Sequence, residues 1–106
     1  MNTKLNRIQN WLELARQAKW SAAALAKQCG VSVRTLERYF LKKFNKSPRL
    51  WLAEHRQKQA IELLHDGSTV KETANYLDYK TQHHFSREFK KNSGYPPSQF
   101  VIPGPT

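Results

Sequence analysis

A chain of 106 residues with 18 Lys and Arg against 8 Asp and Glu, a formal net charge of +10, holds one domain or two small subdomains. Its core is modest, which excludes a large active-site cleft, and its charge points to a polyanion, nucleic acid first and an anionic membrane surface second. No apolar run approaches the roughly 20 residues of a spanning helix, the first residues show no signal-peptide pattern, and the lone Cys29 excludes an intrachain disulfide and suits a reducing cytoplasm.

Residues 4–18 place Leu5, Ile8, Leu12 and Ala15 at helical spacing and predict one amphipathic opening helix. Trp20 is expected to pack between it and the next helix, which Ser21 caps and which runs from Ala22 to Cys29 before Gly30 ends it. Ser32 caps a third helix, predicted to reach about Phe44. At about 100° per residue, Leu36, Phe40 and Phe44 gather on one of its faces, with Arg34 and Arg38 nearly opposite. Asn45-Lys46 is a break, and Ser47-Pro48 is a cap followed by proline in a first turn. The helix it starts continues to about His65, with Leu52, Arg56, Ala60, Leu63 and Leu64 along one broad face and Gly67 as its stop. Thr69 and Glu72 fit a capping box for a helix to about Leu77. After a turn at Asp78-Tyr79, a last helix runs to about Lys91, Phe85 and Phe89 facing inward, His83 and Arg87 outward. Ser93-Gly94 stops it, Pro96-Pro97 starts a short turn that brings Phe100 onto the core, and 103–106 is expected to fray. No segment alternates like a strand, so the fold class is all-α, with about seven helices.

The segment from Ser32 to Phe44 recurs 49 residues later from Thr81 to Lys91, so the chain carries an internal repeat. Ala26 precedes Gly30 by the same four residues that separate Ala74 from Asp78. Each unit is then a helix, a tight turn and a second helix. The small Ala allows close approach, and the turn position needs a left-handed backbone, which Gly adopts freely and Asp tolerates. That is the pattern of a helix-turn-helix, whose second helix enters the major groove of DNA. The expected base-reading residues are Arg34, Glu37 and Arg38 in the first unit and Gln82, His83, Ser86 and Arg87 in the second. Guanidinium groups suit guanine, Gln suits adenine, and a carboxylate accepts from cytosine. Lys42, Lys43, Lys46, Lys90 and Lys91 are the expected phosphate contacts, with the amide ends of the helices capped at Ser21 and Thr69. The long helix has the scale to hold two heads in grooves ~34 Å apart, so a monomer suffices for an asymmetric site.

The predicted parts are a first helix-turn-helix subdomain over 1–46, a linker helix over 47–66, a second subdomain over 67–102 and the tail. Blander roles compete for single residues. Arg38 and Arg87 can serve structure by bonding helix carbonyls, Glu37 can repel phosphate, and Cys29 and the three Trp read as packing. His83-His84 is a poor metal site because adjacent side chains on a helix diverge by about 100° and no ligand cluster joins them. No nucleophile-base pair, Gly-rich phosphate loop or ligand set suggests an enzyme, and no cofactor is expected. Two other classes stay open. A non-specific basic architectural or RNA-binding module would bind cognate and random duplex alike, and a protein-interaction domain would bind neither.

With these residues in place the chain resembles the AraC/XylS-type bacterial transcription regulators over about residues 5–101. The resemblance rests on Leu25-Ala26, Ser32, Leu36, Arg38 and Phe40, then Ser47-Pro48, Leu52, Arg56, Ala60 and Leu63-Leu64, then Ala74, Tyr79, Phe85-Ser86-Arg87, Phe89-Lys90, Gly94, Pro97 and Phe100. It implies two helix-turn-helix subdomains joined by a helix, binding adjacent major grooves of double-stranded DNA and regulating transcription, usually as an activator touching RNA polymerase. The chain departs from the family where Asp78 replaces the usual Gly and Thr73 the usual Ile, so a more strained second turn and a less apolar second core are expected. Most members also carry an effector-binding or dimerising domain, for which 106 residues leave no room.

Overall fold

The computed structural model describes residues 3–101, Thr3 through its backbone alone, and the expected fraying at 103–106 lies outside the described residues. Those residues form seven α-helices and no strand: α1 Thr3–Asn6, α2 Trp11–Gln17, α3 Ala22–Gln28, α4 Val33–Phe44, α5 Pro48–His65, α6 Val70–Tyr76 and α7 Gln82–Ser93, followed by a 3-10 turn, Pro97–Phe100. They divide into two compact units at the boundary after His55, within α5. Among the described residues no helix is long and apolar enough to cross a membrane.

In the first unit the expected single opening helix is two, α1 and α2, separated by residues 7–10. Trp11, absent from the predicted stripe, is buried, and Leu12, placed in it, is exposed. A straight helix would set Leu5 and Trp11 ~120° apart, so only one of them would face the core. The break buries both, and the larger ring decides the outcome. Trp11 meets Phe40 edge-on at 4.9 Å, and Phe40 meets Phe44 at 4.9 Å and Trp51 at 5.5 Å. Such edge contacts add roughly 1 kcal/mol each beyond the area they bury.

The second unit is built on a smaller cluster. Phe85 and Phe89 are fully buried and 5.7 Å apart, Tyr79 lies 5.1 Å from Phe85, and Phe100 of the 3-10 turn closes on Phe89 at 5.0 Å. From α5, Ala60 and Leu64 are buried in this unit. Thr73, expected to make the core less apolar, is fully buried, but its hydroxyl donates to the Thr69 carbonyl at 2.8 Å. The polar group is therefore satisfied within its own helix.

Candidate nucleic-acid interface

The two turns that aim α4 and α7 have the same hydrogen bonds. After α3, the Gly30 amide donates to Lys27 at 3.0 Å and the Val31 amide to Ala26 at 3.0 Å; after α6, Asp78 donates to Asn75 at 3.2 Å and Tyr79 to Ala74 at 3.0 Å. Both are the paired closure that ends a helix with a left-handed residue. Gly30 has φ +70° and Asp78 φ 63°, so the second turn keeps its shape with a side chain that tolerates it. Ala26 and Ala74 are each 1% exposed where the paired helices approach.

Each following helix is capped alike. The Ser32 hydroxyl accepts from the Thr35 amide at 3.1 Å, and the Thr81 hydroxyl from the His84 amide at 3.0 Å. Each ends on a left-handed residue, Asn45 and Gly94. Between the turn and the second cap the second unit has one residue more, Lys80, so the repeat is 48 residues before the turn and 49 after it.

The outward residues are available. Arg34, Glu37, Arg38, Gln82, His83 and Arg87 are exposed and Ser86 half-buried. None of the seven hydrogen-bonds or pairs with another described residue. The structural role open to Arg38 and Arg87 in the sequence is thus filled by neither. Lys42, Lys90 and Lys91 are exposed, and Lys43 is exposed above the Tyr39 and Phe44 rings, 5.6 and 5.8 Å from their centres. Lys46 differs: half-buried, it pairs with Glu54 at 2.6 Å. The amide ends of α3 and α6 differ too. Ser21 caps α3 with no carboxylate in its first turn, whereas on α6 the Glu72 carboxylate accepts the Thr69 amide at 2.9 Å. These bonds hold the Glu72 carboxyl below the usual range, the backbone amide contributing most.

Sequence reasoning placed Arg56 on the broad face of α5 but missed its role. It donates through Nε and Nη2 to the Leu77 carbonyl, at 3.1 and 2.6 Å, and covers the Tyr79 ring at 3.7 Å. It therefore closes the C-terminus of α6 where the turn begins. Burial lowers its pKa, opposed by Tyr79, Asp78 and Glu88, and burial likewise raises that of Tyr79. The available signal was an arginine four residues from both Leu52 and Ala60 on a face otherwise apolar. Arg49 was also missed. Exposed in the first turn of α5, it borders an open groove of about 300 Å³ with Ala22, Ala23, Val33, Glu37, Ser47 and Pro48.

Among the described residues no group of three or more His, Cys, Asp or Glu is placed to hold a metal ion. His84 lies edge-on to Tyr79 at 5.4 Å, and His83 and His84 are both exposed. Cys29 is buried, and desolvation raises its pKa against the opposing influence of Lys4, which keeps it a thiol at neutral pH.

A helix-turn-helix domain family matches residues 25–101. The chain is 35% identical over 88 residues, 82% of its length, to the uncharacterized HTH-type transcriptional regulator YidL of Escherichia coli, of which it covers 30%. It is 26% identical over 99 residues, 92% of its length, to the virulence regulon transcriptional activator VirF of Yersinia enterocolitica, of which it covers 36%. The chain thus spans about a third of the length of the curated relatives it matches. Its fold is similar to that of the C-terminal domain of the two-component response regulator yesN from Fusobacterium nucleatum, with a TM-score of 0.78 and 22% identity over 95% of this chain and 100% of that one.

Proposed function

The chain belongs to the AraC/XylS-type helix-turn-helix family, and on that premise we propose that it binds double-stranded DNA sequence-specifically, placing α4 and α7 in successive major grooves. In the first groove Arg34, Glu37 and Arg38 read base edges, and in the second Gln82, His83, Ser86 and Arg87 do so. Lys42, Lys43, Lys90 and Lys91 contact phosphate, joined by Arg49, while Lys46 contributes less because Glu54 already holds it. Both heads lie in one chain, so one copy suffices and its site need not be palindromic. The output is transcriptional, with activation through contact with RNA polymerase as the reading, in keeping with a relative named as an activator.

One observation carries this reading. Two turns of the same hydrogen-bonded geometry present helices whose outward polar side chains have no hydrogen-bond or ion-pair partner among the described residues. Side chains held ready but unused are suited to a ligand, and the net charge of +10 makes that ligand anionic.

The test compares two substitutions on a duplex selected from random sequence and on random duplex. Arg38→Ala is expected to weaken the selected duplex by roughly 10-fold or more and to relax preference at one position. Lys43→Ala is expected to weaken both duplexes alike and to lower the salt slope by about 1, from about −5 if roughly six phosphates are neutralised. Equal losses on both duplexes for Arg38→Ala would make the chain a non-specific basic module instead.

A further inference from the structure

The repeat assigns one position on α4 that the polar residues leave out. Val33 is the first residue after the Ser32 cap, as Gln82 is the first after the Thr81 cap of α7. The N-terminal residues of a recognition helix are those that meet base edges. Gln82 has an amide to offer there. Val33 has only an isopropyl group, and it is 41% exposed. Of the groups on base edges in the major groove, the C5-methyl of thymine is the apolar one.

We propose that Val33 is a specificity-determining residue that packs against the methyl group of a thymine in the half-site read by α4. The assignment rests on the DNA-binding reading above and deepens it: the α4 block carries a required thymine, set by apolar contact, and the α7 block has an adenine preference at the equivalent place, set by Gln82. Arg34, Glu37 and Arg38 then fix the register on α4 by hydrogen bonds, and Val33 adds discrimination that no hydrogen bond supplies. One flank of Val33 also borders the groove beside Ala22 and Ala23, so a loss on mutating the protein alone would not separate DNA contact from packing.

Changing the DNA does separate them. Uracil differs from thymine only by the missing methyl group. With the full chain bound to duplexes selected from random sequence, each thymine of the α4 block is replaced in turn by uracil. The expected result is a loss of about 4-fold at one position, the effect of leaving one methyl group in water, and little at the others. Val33→Ser, at an exposed first-turn position, is expected to fold as the parent by circular dichroism and to bind thymine and uracil duplexes equally. Val33→Gln is expected to shift the preference at that position toward adenine. Uniform tolerance of uracil, or a uracil penalty that persists in Val33→Ser, overturns the assignment while leaving the DNA-binding reading standing. A selection that returns no motif overturns both.

Discussion

The two units share a backbone plan and differ in where they put their charge. Up to His55 the chain has eleven Lys and Arg against three acidic residues, a net +8; from Arg56 onward it has seven against five, a net +2. In the second unit Arg56 is turned inward onto Leu77 and Tyr79, and Glu72 occupies the amide end of α6. The first unit closes its core instead with Trp11, Phe40, Phe44 and Trp51, and of its surface cations Arg16 pairs with Glu13 and Lys46 with Glu54, while Arg34, Arg38 and Lys42 have no ion pair among the described residues. One fold thus supports two distributions of cations: a strongly basic head, whose grip on DNA under the proposed function should be the more salt-sensitive, and a nearly balanced one, expected to rely more on base contacts.

The largest expected effect falls on the aromatic cluster. Phe40→Ala should destabilise the protein by about 4 kcal/mol in denaturant titration, since the ring is fully buried against Trp11, Phe44 and Trp51. A loss below about 2 kcal/mol would mean that the first unit does not depend on its rings as described. Next in size is Arg56→Ala in the second unit. It leaves the Leu77 carbonyl without its donor and uncovers Tyr79, for an expected loss of about 3 kcal/mol, read the same way. If Arg56→Met restores most of it, the guanidinium acts by packing rather than by hydrogen bonding, and the contrast between the units narrows.

Smaller effects are expected at the turns. Asp78→Gly should raise thermal stability by about 1 kcal/mol, because glycine adopts φ near 63° without the steric cost of a side chain. Gly30→Asp should cost about as much; its Cβ would lie 2.5 Å from Lys4 Nζ, the far end of a flexible chain that can move aside. Unequal signs at the two sites sharpen the comparison, and equal signs break it. The smallest effect is a pH dependence confined to the second unit. The folded Glu72 pKa lies below its unfolded value, so the capping box stabilises fully above that unfolded value, ~4.3, and the contribution is lost as pH falls through the folded one. Glu72→Gln should flatten that part of the acid unfolding curve. The first turn of α3, with no acidic residue, should show no counterpart.

Much of this was legible in the sequence because it is written in local chemistry. The caps at Ser21, Ser32 and Thr69, the stops at Gly67 and Gly94, and the inward pairs of Leu36 with Phe40 and Phe85 with Phe89 each depend on residues within a turn or two. The break between α1 and α2 was not legible, because it follows from Trp11 meeting Phe40 and Phe44, which lie about thirty residues away in the chain. For the same reason, periodicity alone could not pair Arg56 with the Leu77 carbonyl, and Lys46 looked free until Glu54 was placed beside it. The outward residues of α4 and α7 were found by their angle from the core, which a helix fixes by itself. Val33 was passed over because polar residues are the ones sought on a reading face.

The most direct test of the central claim is a hydroxyl-radical footprint of the chain on its selected duplex, with the stoichiometry measured alongside. One copy should protect two stretches on the same face of the DNA, about 10 base pairs apart and different in sequence. A single protected stretch, or two symmetric stretches that each need their own copy, would contradict it.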